Sequence, residues 1–230
     1  MPTAAEVLDK LAKQADPDHL PEMARFGMTT EQRLGASVPA MRQIAKDIGH
    51  DHELALSLWE TGIAEARILA SMIDSPAQVT PDQAEQWVRT FNSWDVCDQV
   101  CLNLFEKTPW AWQKAVEWAE RDEEYVRRTA FVLIARLALR DKPAGDEQFI
   151  QIFSLLKNAA SDERNFVKKA VNWALRNIGK RNRRLNRAAV QLAKEIQQLD
   201  SKSARWIGAD AVRELDSRAV QQRLNKSAKE

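Results

Sequence analysis

Phe166-Val167-Lys168-Lys169-Ala170-Val171-Asn172-Trp173-Ala174-Leu175-Arg176 reads as the middle of a helix over about 163–179. At about 100° per residue, Val167, Ala170, Val171, Ala174, Leu175 and Ile178 fall on one half of the cylinder, with Phe166 at its edge. Lys169, Trp173, Arg176 and, just past the helix end, Lys180 fall on the other half. A core does not need a tryptophan inside a basic stripe. Either Trp173 packs on a neighbouring helix under lysine stems, or it forms an aromatic surface flanked by phosphate-binding cations, the usual composition of a nucleic-acid site.

The same pattern occurs upstream. Tyr125-Val126-Arg127-Arg128-Thr129-Ala130 matches Phe166 to Val171 as an apolar pair, two basic residues, then small or apolar ones. Val126 and Val167 are 41 residues apart, inside the period of about 40–47 residues of HEAT repeats. Helix starts are marked by Thr80-Pro81-Asp82-Gln83, where Thr is a cap, Pro the first helical residue and Gln the capping-box residue. Thr108-Pro109-Trp110 repeats the cap and proline, and Ser93 precedes a helix with Asp95 in its first turn. Strand-like alternation is absent and glycine is scarce, at 7 residues. Predicted helices span 4–15, 38–48, 52–60, 64–74, 81–91, 94–106, 109–120, 123–140, 147–158, 163–179, 184–198 and 210–223. Helix pairs with a repeat of this length predict an all-α fold, an α-α superhelix (solenoid) of HEAT-like repeats. One domain over residues 1–230 is expected, offering a concave surface to an extended partner.

Composition agrees. The 230 residues are 44% hydrophobic and 29% charged, as in a globular chain with a sizeable core. No run of about 18 apolar residues is present, and the first residues lack an apolar leader segment, so a cytoplasmic location is the default expectation. Net charge is +1, but 24 Lys+Arg stand against 14 Asp+Glu from residue 121 onward, and 10 against 19 before it. The basic half, about 121–200, is expected to face a polyanion; solvated helix faces are the plainer account. Cys97 and Cys101, four apart on a helical pattern, suit two buried apolar side chains. With His19, His50 and His52 in turn-like segments, the spacing of a metal site is lacking, and no metal is expected.

Two further positions stand out. Trp94 and Asp98 share a helix face, and Asp98 borders the apolar face of Val96, Cys97, Val100, Cys101, Leu104 and Phe105. That carboxylate is either an ordinary cap or ion-pair partner, or a charge placed to meet a developing cation. Arg128 leaves a helix whose Ala130, Phe131, Leu133, Ile134, Leu137 and Ala138 form a wide apolar band. It can reach Asp98, another carboxylate or a phosphate. Arg181-Asn182-Arg183-Arg184, with Arg187, follows Lys180 at a helix junction and reads as backbone-contacting.

These segments together resemble the AlkD-type DNA alkylation repair family. Trp94-Asp95-Val96-Cys97-Asp98 resembles its W-D-x-x-D signature, and Val126 to Ala130 its second motif, with the functional arginine at Arg128. Phe166 to Arg176 is similar to F-x-x-K-A-x-x-W-x-L-R, and Leu34-Gly35 with Pro39-Ala40-Met41-Arg42 to an early L-G-x-x-x-P-x-x-R segment. The likeness runs from about residue 20 to 200, and the tail after about 205 is uninformative by it. It implies a glycosylase that excises cationic alkylated purines (3-methyladenine, 7-methylguanine) from duplex DNA, as a monomer, without metal or organic cofactor and without a membrane. Trp94, Asp98 and Trp173 would surround the lesion nucleotide; Arg128 and Arg176 would hold the backbone, joined by Lys169, Lys180, Arg183 and Arg184 from the basic stripe. Where the family places a tyrosine near the start of the chain, the closest candidate for lesion contact is Phe26, which lacks the hydroxyl. Two other functions compete: a non-catalytic repeat protein that binds distorted or branched DNA by shape, and a protein-interaction scaffold.

Overall fold

The computed structural model describes residues 2–227, and all regular structure among them is helical. The chain divides into two compact units, Met1–Pro109 and Trp110–Glu230.

The first unit holds α1 (Ala4–Ala12), α2 (Leu20–Arg25), α3 (Val38–Ile48), α4 (His52–Trp59), α5 (Ala64–Ile73), α6 (Pro81–Arg89) and α7 (Trp94–Asn103). α5 is its hub, packing against α1, α3, α4 and α7. Eight of its ten residues are buried, Glu65 among them. The core is aromatic: Trp59 of α4 and Trp87 of α6 stack with centroids 3.8 Å apart and planes 2° from parallel. Phe91 meets Trp59 edge-on. Cys97 and Cys101 are buried thiols, not joined in a disulfide, as their helical spacing predicts.

The second unit holds α8 (Ala111–Ala119), α9 (Glu124–Arg140), α10 (Asp146–Gln151), α11 (Phe153–Ala159), α12 (Asn165–Gly179), α13 (Arg183–Gln197), α14 (Lys202–Leu215) and α15 (Arg218–Ser227). α8 pairs with α9, α11 with α12, and α13 with α14, while α9, α12 and α14 pack in sequence as a row. The row is parallel and in register. Arg128 Nη1 donates to Phe166 O at 2.6 Å, Asn177 Nδ2 to Ala135 O at 3.0 Å and Arg181 Nη1 to Ala138 O at 2.7 Å. Asn172 Nδ2 continues the stitching to Asp210 Oδ2 at 2.7 Å. These bonds span 38 to 43 residues, so the 41-residue spacing of Val126 and Val167 is a physical repeat. Gly179 permits a close approach in the row: a Cβ there would lie 2.7 Å from the Leu215 side chain of α14.

Several boundaries depart from expectation. A turn at Pro17–His19 runs into α2, a segment without buried residues and so without apolar periodicity to read. The helix expected over 147–158 breaks at Ile152. The helix expected over 210–223 is in fact two. Ser201 caps α14, its hydroxyl accepting from Ala204 N at 3.2 Å, and Asp216 and Ser217 lie in the turn before α15. Thr80 caps α6 as expected, accepting from Gln83 N at 3.1 Å, but the Gln83 side chain turns away to Asp74 Oδ2 at 2.8 Å. Thr108 caps no helix; its hydroxyl donates to Phe105 O at 2.8 Å and closes a 3-10 turn.

Candidate nucleic-acid interface

In the first unit the candidate residues gather at the start of α7. The segment from Phe26 to Gly35 is bound against this turn by a dense set of hydrogen bonds. Thr29 N donates to Ser93 Oγ at 3.3 Å, and Thr29 Oγ1 to Asn92 O at 2.6 Å. Arg33 is the centre. Its Nε donates to Thr29 O at 2.7 Å, and its two terminal nitrogens donate to Asp95 Oδ2 at 2.8 Å and Oδ1 at 3.0 Å. The Arg33 side chain is 2% exposed and that of Asp95 13%, so this is a desolvated bidentate pair of the strong kind. Ser93 Oγ completes the cluster by donating to Asp95 Oδ1.

The backbone of this segment is itself constrained. Gln32, just before Arg33, has φ of 51°, a left-handed conformation costly for a side-chain-bearing residue. Gly35 has φ of 80°, and a Cβ there would lie 2.1 Å from Asp16 O. Leu34 N and Gly35 N each donate to the buried Glu65 carboxylate at 2.9 Å. Glu65 of α5 therefore fixes the segment from below while Arg33 fixes it to α7.

The two aspartates of Trp94-Asp95-Val96-Cys97-Asp98 differ in setting. Asp95 is engaged by Arg33. Asp98, one turn further on, is half-buried beside the buried Val96, Cys97, Val100 and Cys101. Trp94 is also half-buried, and its ring Nε1 donates to Phe26 O at 3.1 Å. Phe26 is 63% exposed. The structure thus brings Phe26 beside Trp94, 68 residues away in sequence. Arg33 and Glu65, which hold the arrangement, carry no local sequence signal, because each acts on a distant element.

In the second unit the candidates lie along α12 and beyond it. Val167, Ala170, Val171, Ala174, Leu175 and Ile178 are all buried; Lys169 is exposed, and Trp173, Arg176 and Lys180 are half-buried. Arg176 and Lys180 are not open cations. Arg176 Nη1 pairs with Glu214 Oε2 of α14, and with Asp210 Oδ2 at 3.5 Å; Lys180 Nζ pairs with Glu214 Oε1. Burial pushes the Glu214 carboxyl up, but Lys180 and Arg176 prevail and hold it below the ordinary glutamate value. Arg128 is 5% exposed, and its guanidinium lies over the Phe166 ring as well as bonding Phe166 O. Through these contacts it holds the start of α12. Arg183 and Arg184 are exposed; Arg183 donates to Asn225, and Arg184 pairs with Glu147. Lys142, Lys180, Arg181 and Arg223 line a cleft of about 370 Å³ at this end of the unit. Asp210 and Glu214 lie in the tail that the sequence motifs do not reach.

Helices in repeated register, with half-buried tryptophans beside a carboxylate in one unit and beside cations in the other, define a helical-repeat protein of the HEAT-like class. The chain belongs to the DNA alkylation repair enzyme family, whose sequence model, described in those words, matches residues 7–215. No curated protein matches the chain. Among solved structures, one described as "a new family of proteins related to the HEAT-like repeat DNA glycosylases with affinity for branched DNA structures" matches with a TM-score of 0.77 and 19% identity, over 92% of this chain and 95% of that one. An engineered protein matches at a TM-score of 0.42 and 15% identity, over 94% and 99%. A designed armadillo repeat protein in complex with the peptide (KR)4 matches at 0.37 and 16%, over 91% and 87%.

Proposed function

We propose that this chain is a metal-independent DNA glycosylase that hydrolyses the N-glycosidic bond of 3-methyladenine and 7-methylguanine in duplex DNA. The reading is carried by the setting of Asp98 in α7: a half-buried carboxylate beside buried apolar side chains, one turn from an indole whose Nε1 is bonded to Phe26 O. An N3- or N7-alkylated purine is cationic and already a good leaving group. Its departure leaves an oxocarbenium-like sugar, which a carboxylate near C1′ stabilises. Asp98 is assigned that role and the orientation of the attacking water. Trp94 covers the cationic nucleotide with its ring face, Phe26 extends the apolar surface beside it, and Trp173 gives the second unit an aromatic face of its own for the DNA. Lys169, Arg176, Lys180, Arg183 and Arg184 take backbone phosphates, and Arg128 sets the start of α12. The protein acts as a cytoplasmic monomer on this reading.

The test is release of free 7-methylguanine and 3-methyladenine from methylated duplex DNA without added metal, wild type beside Asp98→Asn. Release by wild type alone is expected. Equal release by a folded Asp98→Asn protein would reject the mechanism. A second reading is favoured by one observation, the neutralisation of Arg176 and Lys180 by Glu214, together with the branched-DNA affinity stated for the structural neighbour. It is a non-catalytic protein that recognises branched DNA by shape. Tight binding of a four-way junction with no base release by wild type would establish it instead.

A further inference from the structure

From Asn165 to Arg187 the chain carries eight cations and no acidic residue. Every carboxylate that neutralises this stretch comes from another element. Glu214 bridges two of these cations: one oxygen takes Arg176, the other takes Lys180. Two cations a helical turn apart, bridged by the two oxygens of one anion, form the arrangement with which a protein holds a phosphodiester. The Arg176 guanidinium retains a buried Nε without a partner, so its hydrogen-bonding capacity is not exhausted by the carboxylates. Asp210 is differently placed, being also bound by Asn172 and Arg213.

We propose that Glu214 occupies the seat of a DNA phosphate at the end of α12, so that backbone binding there exchanges one anion for another. This rests on the second unit being a DNA-binding surface. The exchange is open because side-chain exposure at the site is 29% for Glu214, 27% for Arg176 and 19% for Lys180. Pairs reached by water are held weakly. A carboxylate with that exposure swings into solvent by side-chain rotation alone, while the helix packing made close by Gly179 stays intact. The occupant is a phosphate within a polyanion, because Arg181, Arg183, Arg184 and Arg187 continue the cationic run past Lys180. Glu214 then sets affinity: it lowers binding to any duplex and leaves discrimination to residues that read the lesion.

The experiment is titration of the full chain with fluorescent duplex DNA over a series of salt concentrations, comparing wild type, Glu214→Gln and Glu214→Ala. Thermal unfolding of each variant checks the fold. Both variants are expected to bind about ten-fold tighter at low salt. The slope of log K against log salt stays near that of wild type, because the number of phosphates engaged is the same. In an Arg176→Ala/Lys180→Ala background the gain from Glu214→Gln disappears. Wild-type binding without a gain in either folded variant means that Glu214 orients the cations, and the exchange alone falls. If wild type fails to bind at low salt, the DNA-binding reading of the second unit falls, and the exchange with it.

Discussion

The two units are built by different rules. In Trp110–Glu230, links repeat at 38 to 43 residues, joining each helix of the row to the next through side-chain bonds to backbone carbonyls and through ion pairs. In Met1–Pro109, the decisive bonds span 60 to 68 residues and tie an irregular segment to α7 around one buried ion pair. Charge divides in the same way, with 9 Lys+Arg against 17 Asp+Glu in residues 1–109 and 25 against 16 in 110–230. A repeating unit presents similar cations along its length and suits a repeating polyanion. A unit cross-linked at one place fixes a few side chains closely and suits chemistry. On the proposed function, the contrast predicts that reaction and grip are separable in this chain.

The strongest test of that separation is Asp98→Asn. Removal of a single charge-stabilising group typically lowers a rate by about 10²–10³-fold. Base release is therefore expected to fall by that order while duplex binding stays within about two-fold of wild type. A parallel loss of binding would place Asp98 in the grip and break the comparison.

Next is Arg33→Met. Removing one partner of a buried ion pair costs about 3–5 kcal/mol, because the remaining carboxylate is left desolvated. Asp95 at 13% exposure retains some water, so about 3 kcal/mol is expected, read as a fall in denaturant midpoint at unchanged m-value. If the loss is under about 1 kcal/mol, the pair behaves as a surface pair and does not hold the α7 turn.

The second unit has an acid-sensitive joint of its own. Burial pushes the Asp162 carboxyl up, but the Arg164 guanidinium and backbone N–H, joined by Arg127, hold it below the ordinary aspartate value. Its side chain is 7% exposed. A depressed folded-state pKa adds stability that is present above the unfolded value of about 3.9 and lost as pH falls through the folded value. Asp162→Asn should therefore lower the urea midpoint at neutral pH, and the gap to wild type should close on acidification through that window. A gap independent of pH would assign the loss to shape rather than charge.

These elements differ in how far the sequence revealed them. The buried face of α12 and the apolar face of α7 were legible because a helix in contact with a core must repeat its apolar residues near the 3.6-residue turn. The repeat was legible at Val126 and Val167 because two helices in one row meet similar neighbours. Helix ends were less so: Thr108 has the look of a cap, yet its hydroxyl bonds back to Phe105. Arg33, Glu65, Asp210 and Glu214 were invisible for a common reason. Each acts on a helix or segment at least 30 residues away, and pairing across such a distance leaves no local pattern. The side chains Trp94, Asp98, Trp173 and Arg176 stood out by type and spacing; the groups that hold or neutralise them did not.

Arg176→Ala gives the smallest expected effect and the finest test. A cation that takes one DNA phosphate contributes about 0.9 to the salt slope, whatever it gave up to do so. Its contribution to affinity is net of what it gave up. Arg176 must leave Glu214 and Asp210, whereas exposed Lys169 makes no ion pair among the described residues. Arg176→Ala and Lys169→Ala should therefore each lower the slope by about one unit, with Lys169→Ala costing more affinity at low salt. Equal losses of affinity would mean that the carboxylates of α14 do not compete with DNA. An unchanged slope in both variants would move the backbone contacts off α12.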